Sequence, residues 1–199
     1  MKVPDTTASD IRTVDVMNGG LAEIELSRAV RTAKPRAARP PRYTFRKPDK
    51  ADGAAIWALV KETGVLDLNS PYSYLMLGEY FSDTCVVAER KGRIVGFVSG
   101  FIPPEQPDTI FVWQVGVDSS ERGKGLAKQV LRALLRSEAC QDVHYLNSTV
   151  TPSNAASTRL FRAIARELHT PCVIDDGFHE KLFPGEGHES ERLFRIGPF

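Results

Sequence analysis

A mixed α/β domain is the fold class this sequence predicts, with about six to seven strands and about four helices, and three observations carry it. From Tyr43 onward, segments that alternate with period two and segments with helical spacing follow in the order β-α-α-β-β-β-α-β-α-β-β. In the middle, Ile110 to Leu135 reads IFVWQVGVDSSERGKGLAKQVLRALL: an apolar strand, a glycine-bearing turn and an amphipathic helix. Composition agrees, since 42% of the 199 residues are hydrophobic and 26% charged, enough to bury a sizeable core.

Residues 1–42 differ in kind. Arg28, Arg31, Lys34, Arg36, Arg39 and Arg42 are interleaved with Pro35, Pro40 and Pro41, and no aromatic residue precedes Tyr43. Such a segment buries too little apolar surface to offset its ordering entropy. A flexible basic extension is expected over 1–42 and the folded domain over 43–199. Tyr43 to Arg46 alternates as a first strand. Ala51 to Glu62 is the first helix, with Ile56, Leu59 and Val60 at helical spacing and Gly64 at its end. Leu66 to Tyr74 is expected to be a polar loop carrying Asp67 and two tyrosines, and Tyr74 to Phe81 a second short helix. Thr84 to Glu89 and Arg93 to Phe101 flank Arg90-Lys91-Gly92 as a hairpin, which Pro103 and Pro104 terminate.

The central strand and helix come next. The helix sets Leu126, Val130, Leu131, Leu134 and Leu135 on one face, with Lys128, Gln129, Arg132 and Arg136 on the other. Val143 to Val150 is a strand. Thr151-Pro152-Ser153-Asn154 then caps a helix that buries Leu160, Phe161, Ile164 and Leu168. Pro171 to Ile174 starts another strand, Asp175 to Glu189 is a loop rich in glycine, histidine and acid, and Glu191 to Ile196 closes the sheet.

The turn Arg122-Gly123-Lys124-Gly125-Leu126-Ala127 has the chemistry of an anion socket. Two glycines let backbone amides approach a phosphate, the helix they open adds the positive end of its dipole, and Arg122 and Lys124 add charge. Neither the dinucleotide nor the nucleotide-triphosphate glycine fingerprint occurs. A bulge is expected at Gly116, between Val115 and Val117, where it would splay the ladder.

Arg-x-x-Gly-x-Ala between a strand and a helix resembles the pyrophosphate turn of the GNAT superfamily of acetyl-CoA-dependent N-acetyltransferases. The element order and the Asn154 helix extend that likeness over residues 43–199. Asp67-Leu68-Asn69-Ser70 with Tyr72, Val112-Trp113-Gln114 before Val-Gly-Val, Thr149 to Asn154, and His188 with Glu191 resemble, more narrowly, the diaminobutyrate acetyltransferases of the ectoine pathway. The resemblance implies a GNAT fold and acetyl-CoA as co-substrate. Backbone groups of Val115, Gly116 and Val117 would bond the pantetheine arm and steady the oxyanion. Amides of Arg122, Gly123, Lys124, Gly125, Leu126 and Ala127 would hold the pyrophosphate, and Asn154 would touch the cofactor.

For the substrate, the likeness implies a small diamino acid held by Asp67, Tyr72, Trp113, His188 and Glu191. Glu191 would act as base, directly or through water, with Asp67 and Tyr72 beside it in the catalytic set. From the residues alone, Trp113 also reads as a core tryptophan, Asp67 as a cap, and His188 and Glu191 as surface groups. Many GNAT enzymes protonate the departing thiolate with a tyrosine, and here Phe161 occupies that place. A water, Tyr72 or another hydroxyl would serve instead, or the thiolate leaves unassisted.

A formal charge of +1 gives no electrostatic case for nucleic acid or an anionic membrane. No run approaches a bilayer span and the first residues lack an apolar signal core, so a cytoplasmic protein is expected. Cys85, Cys140 and Cys172 form no pair motif and read as buried free thiols, and no metal-ligand spacing is present. A homodimer is implied by resemblance alone. Two other readings stay open: a GNAT enzyme acting on a polyamine, a lysine or a protein N-terminus, and a non-catalytic CoA-binding sensor.

Overall fold

The structure, a computed structural model, describes residues 42–185 and 187–199. The extension expected over 1–42 lies outside them except for Arg42. Seven strands form one sheet: β1 (Thr44–Arg46), β2 (Cys85–Arg90), β3 (Arg93–Phe101), β4 (Thr109–Val117), β5 (Tyr145–Val150), β6 (Cys172–Asp176) and β7 (Arg192–Ile196). Four helices accompany them: α1 (Gly53–Thr63), α2 (Pro71–Tyr80), α3 (Leu126–Leu135) and α4 (Ala155–Glu167). The spatial order is β1-β2-β3-β4-β5-β7-β6, antiparallel throughout except where β4 meets β5.

Two apolar layers hold the sheet. Ile56, Leu59 and Val60 of α1 and Tyr74 and Leu77 of α2 pack on one face with Val87 and Phe97. On the other, Val130, Leu131 and Leu134 of α3 and Phe161 and Ile164 of α4 meet Val98, Ile110, Leu146 and Phe194. The predicted faces of α1 and α3 are therefore the buried ones, with Leu135 half-buried at the end of the stripe. Lys91 and Gly92 both have positive φ, 52° and 73°, so the hairpin closes through a two-residue turn whose twist matches its strands.

Two expectations are corrected. Helix α2 begins at Pro71, three residues early, because Ser70 accepts from the Ser73 amide as N-cap and proline occupies the first turn. Tyr72 and Ser73 thus belong to a helix, not to the loop. Second, the bulge is not at Gly116, which pairs regularly with Phe97. The register slips between Gln114, opposite Ser99, and Val112, opposite Gly100, so the extra residue is Trp113.

That slip inverts the alternation of β4. Before it, Ile110 and Val112 face α3 and α4. After it, Val115 and Val117 do, and Gln114 turns to the α1–α2 side.

Candidate functional site

β4 and β5 run parallel and pair only from Thr109 to Phe111 with Tyr145 to Asn147. Beyond that point they part, leaving an unpaired edge on β4 toward Val117. The Asp118 amide donates to the Val95 carbonyl at 2.9 Å, in step with the Gly116–Phe97 pair. Backbone direction alternates along a strand, so Gly116 faces β3, and the N–H and C=O groups of Val115 and Val117 face the gap. An extended polar ligand laid there would complete the ladder.

The turn at the end of β4 opens α3. Asp118 accepts from the Ser120 amide and hydroxyl, shaping residues 119–121 into a single 3-10 turn. Gly123 and Gly125 follow at φ 74° and 75°, and a Cβ at either would meet nothing within 4 Å. The glycines are thus required by backbone conformation, not by crowding, and the space beside them is open. α3 starts at Gly125 without any side-chain cap, so its first amides keep the donor capacity that every helix N-terminus leaves over. These features fit a diphosphate.

The two charges of the turn are placed differently from expectation. Arg122 donates to the Thr63 carbonyl at 3.0 Å, closing the C-terminus of α1. Lys124 bonds the Ser120 carbonyl at 2.5 Å and Glu121 at 3.2 Å. Glu121 is only 1% exposed and also takes the Tyr43 hydroxyl at 2.5 Å, Arg42 at 3.2 Å and Arg90. The Tyr43 bond first, then Lys124 and Arg90, hold its carboxyl down at about 2 against the opposing effect of burial. The same burial and the same bond push the Tyr43 phenol up.

A cleft of about 890 Å³ opens beside the gap and gathers four of the five expected substrate residues. Asp67, Trp113, His188 and Glu191 line it, together with Val115 and Asn154. Trp113 is 45% exposed, as a bulged residue turned out of the core must be. Asn154 caps α4, its side chain accepting from the Ser157 amide at 3.0 Å. His188 lies flat on Phe183, centroids 3.6 Å apart, with Nδ1 2.7 Å from the Glu189 carbonyl. Glu191 is fixed through its backbone: its amide donates to Phe178 and its carbonyl accepts from Gly177. Gly177 has to be glycine, since a Cβ would sit 2.7 Å from that carbonyl.

Tyr72 is not brought in. It is 67% exposed, on the side of α2 opposite Tyr74, and does not line the cleft. Residues 122–127 and the side of β4 at Gly116 and Val117 also lie outside its lining. Of the lining residues given no site role from the sequence, two bear on the geometry. Glu189 adds a third carboxylate and accepts from the Ser153 amide at 3.2 Å. Gln114 ties the Asp67 loop to β4, and its signal in the sequence was a polar residue inside an apolar strand. Phe161 is buried against Phe194 and lines the cleft with a side chain that has no proton to donate.

None of the three thiols lines the cleft. Burial pushes Cys85 up to about 11 and raises Cys140 and Cys172, the last only half-buried where a buried thiol was expected. Among the described residues, no group of three or more His, Cys, Asp or Glu side chains could hold a metal, and no helix is long and apolar enough to cross a membrane.

The sequence profile of the Acetyltransferase (GNAT) family matches residues 53–165. The chain is 56% identical over 155 residues to the L-2,4-diaminobutyric acid acetyltransferase of Halalkalibacterium halodurans, covering 78% of this chain and 82% of that one. To the enzyme of the same name from Marinococcus halophilus it is 54% identical, with 78% and 90% covered. Among solved structures it resembles diaminobutyrate acetyltransferase EctA from Paenibacillus lautus, in complex with its substrate L-2,4-diaminobutyric acid and coenzyme A. That match has a TM-score of 0.76 at 49% identity and covers 78% of this chain and 95% of that one. The ribosomal-protein-S18-alanine N-acetyltransferase of Escherichia coli shares the fold, with a TM-score of 0.60 at 16% identity over 78% of this chain and 94% of that one.

Proposed function

The chain belongs to the GNAT family of acetyltransferases, and from that premise we propose that it transfers the acetyl group of acetyl-CoA to the γ-amine of L-2,4-diaminobutyrate. One observation carries the choice of acceptor: a cleft lined by Asp67, Glu189, Glu191 and the exposed Trp113 opens on the gap between β4 and β5. The relatives at 49% to 56% identity bear the name of a diaminobutyrate acetyltransferase.

Acetyl transfer needs a neutral amine, a donor for the developing oxyanion and an outlet for the thiolate. A lysine-like amine has a pKa of about 10.4, so presenting it neutral at pH 7 costs roughly 4–5 kcal/mol. Glu191, set by its two backbone bonds, is placed to take that proton directly or through water. Asp67 and the Trp113 face bind the ammonium that must stay unreacted, by charge and by cation–π attraction. His188, locked on Phe183, borders the same space. On the donor side, the outward backbone groups of Val115 and Val117 align the pantetheine arm, and one such N–H faces the thioester oxygen. The amides of residues 122–127 hold the diphosphate, with Gly123 and Gly125 supplying the backbone shape, and Asn154 stands at the head of α4 beside the arm.

Phe161 has no proton to give and Tyr72 stands outside the cleft. Water or one of the lining hydroxyls of Ser148, Thr149, Thr151 and Ser157 is left to protonate the thiolate. With no cysteine among the residues that line the cleft, transfer is direct, in a ternary complex. The proposed setting is the ectoine pathway of osmoadaptation, in the cytoplasm, with the enzyme a homodimer by resemblance.

The test is to incubate the protein with acetyl-CoA and L-2,4-diaminobutyrate and locate the acetyl group by NMR. N4-acetyl product with sequential kinetics is expected. Faster turnover on a polyamine or a peptide would overturn the acceptor, and tight coenzyme binding with no thiol released on any amine would overturn the activity.

A further inference from the structure

We infer that Gln114 is a positioning residue for the acceptor half of the reaction: it sets the Asp67 loop against the β4 edge, and so decides which amine of the substrate is held back. This inference rests on the reading of Asp67 as the ammonium ligand.

The loop between α1 and α2 has no regular structure from Val65 to Asn69. Among the described residues, two hydrogen bonds hold it. Gln114 Nε2 donates to the Asp67 carbonyl at 2.7 Å, and the Asn69 amide donates to the Tyr74 hydroxyl at 3.4 Å. That hydroxyl in turn donates to Gln114 Oε1 at 3.2 Å. Gln114 is 4% exposed and Tyr74 fully buried, so the bond between them is buried, the two bonds to the loop are partly so, and an amide left there without partners would be costly.

The bulge creates this link. Without the extra residue, position 114 would follow Ile110 and Val112 onto the α3–α4 face, away from the loop. With it, Gln114 turns to α2, Trp113 stands out into the cleft, and Val115 presents its backbone to the gap. Three consecutive residues of β4 thus serve the ammonium wall, the Asp67 anchor and the thioester edge. Gln114 converts the position of one into the position of the others. It exerts no charge and touches no proton that moves.

The experiment compares Q114M, which keeps length and burial but removes both bonds, with D67A and the double variant. In Q114M the KM for diaminobutyrate should rise about tenfold while the KM for acetyl-CoA stays within about twofold, the size expected for a lost buried hydrogen bond. The share of N2-acetyl product should rise as well, a change that general loosening of the fold would not single out. In the D67A background, Q114M should add less than about twofold, since both act through one contact. Y74F, which keeps the Gln114 bond to Asp67, should shift the same two readouts in the same direction by less.

Additive effects in the double variant would mean that Gln114 meets the substrate itself, and would overturn the inference. So would an unchanged KM for diaminobutyrate in Q114M and Y74F with D67A impaired. If Q114M does not fold, Y74F alone decides, its unchanged regiochemistry and KM being fatal. An unimpaired D67A would instead remove Asp67 from the site, which is a failure of the underlying reading.

Discussion

The turn proposed to hold the diphosphate and the cleft proposed to hold the amine keep their charges in opposite ways. At the turn, the charged side chains are paired within the protein: Lys124 with Glu121, Glu121 with Arg90 and Arg42, Arg122 with the end of α1. What remains for the ligand is neutral backbone, made strong by preorganisation at a helix terminus. At the cleft, Asp67, Glu189 and Glu191 enter no salt bridge among the described residues. On the proposed reading, an anion that must be bound and released in every cycle is met by fixed dipoles, and an ammonium by carboxylates left uncompensated. The lesson is that geometry carries the donor half and charge carries the acceptor half.

If that division is right, the largest effect comes from removing charge in the cleft. Glu191→Gln keeps the shape and removes the base, and kcat should fall by roughly 10²–10⁴-fold. The KM for acetyl-CoA should hardly move. A loss below about tenfold would transfer the role of base to Glu189 or to water.

The donor half should break through backbone shape. Gly125→Ala meets no atom within 4 Å, so its whole cost is the left-handed conformation, about 1–2 kcal/mol for a residue with a Cβ. That converts to roughly 5- to 30-fold in the KM for acetyl-CoA, with the KM for diaminobutyrate unchanged. Lys124→Ala should cost less than Gly125→Ala, because its ammonium already has the Ser120 carbonyl and Glu121. The reverse order would show that charge, after all, governs this side.

Much of this division was open to a reader of the sequence. The glycine pair, the strand before it and the amphipathic α3 announce an anion turn, and the Asn154 cap announces α4. What stayed hidden needed distance in three dimensions. Nothing local to Lys124 says that Glu121 is buried, because its partners Tyr43 and Arg90 lie 78 and 31 residues away. The bulge did leave a trace: Ile110, Val112, Val115 and Val117 step by two, three and two. Read strictly, that broken period points to Trp113, whereas glycine's reputation pointed to Gly116. Ser70-Pro71 was likewise a helix start written in plain residues. Tyr72, given a site role by resemblance and expected in the loop, stands instead on α2, where it does not line the cleft.

Acid should weaken the fold through the carboxylates of the donor half. The Glu121 and Glu167 carboxyls are both held at about 2, the first by Tyr43 ahead of Lys124 and Arg90, the second by Arg132 ahead of Lys128. In the unfolded chain a glutamate titrates at about 4.3. A folded pKa below the unfolded one gives stability that is present above about pH 4.3 and lost as pH falls toward 2. Tm measured from pH 6 to 2.5 should drop along that limb. E121Q should flatten it, and E167Q should flatten it less, since Glu167 clasps α3 to α4 at the surface where solvent screens the pair. Acid limbs that match the parent protein in both variants would remove these carboxylates from the account.

The smallest effect separates two uses of one side chain where the halves meet. Asn154 caps α4 through the Ser157 amide and also lines the cleft. Asn154→Ala should lower stability by about 1 kcal/mol, the usual cost of a lost cap. Asn154→Asp restores the cap, because a carboxylate accepts the same amide and favours a helix N-terminus. It also puts a negative charge beside an anionic coenzyme. Tm should therefore recover in the aspartate variant while the KM for acetyl-CoA remains raised. If both recover together, Asn154 serves the helix only, and the donor half ends at the turn.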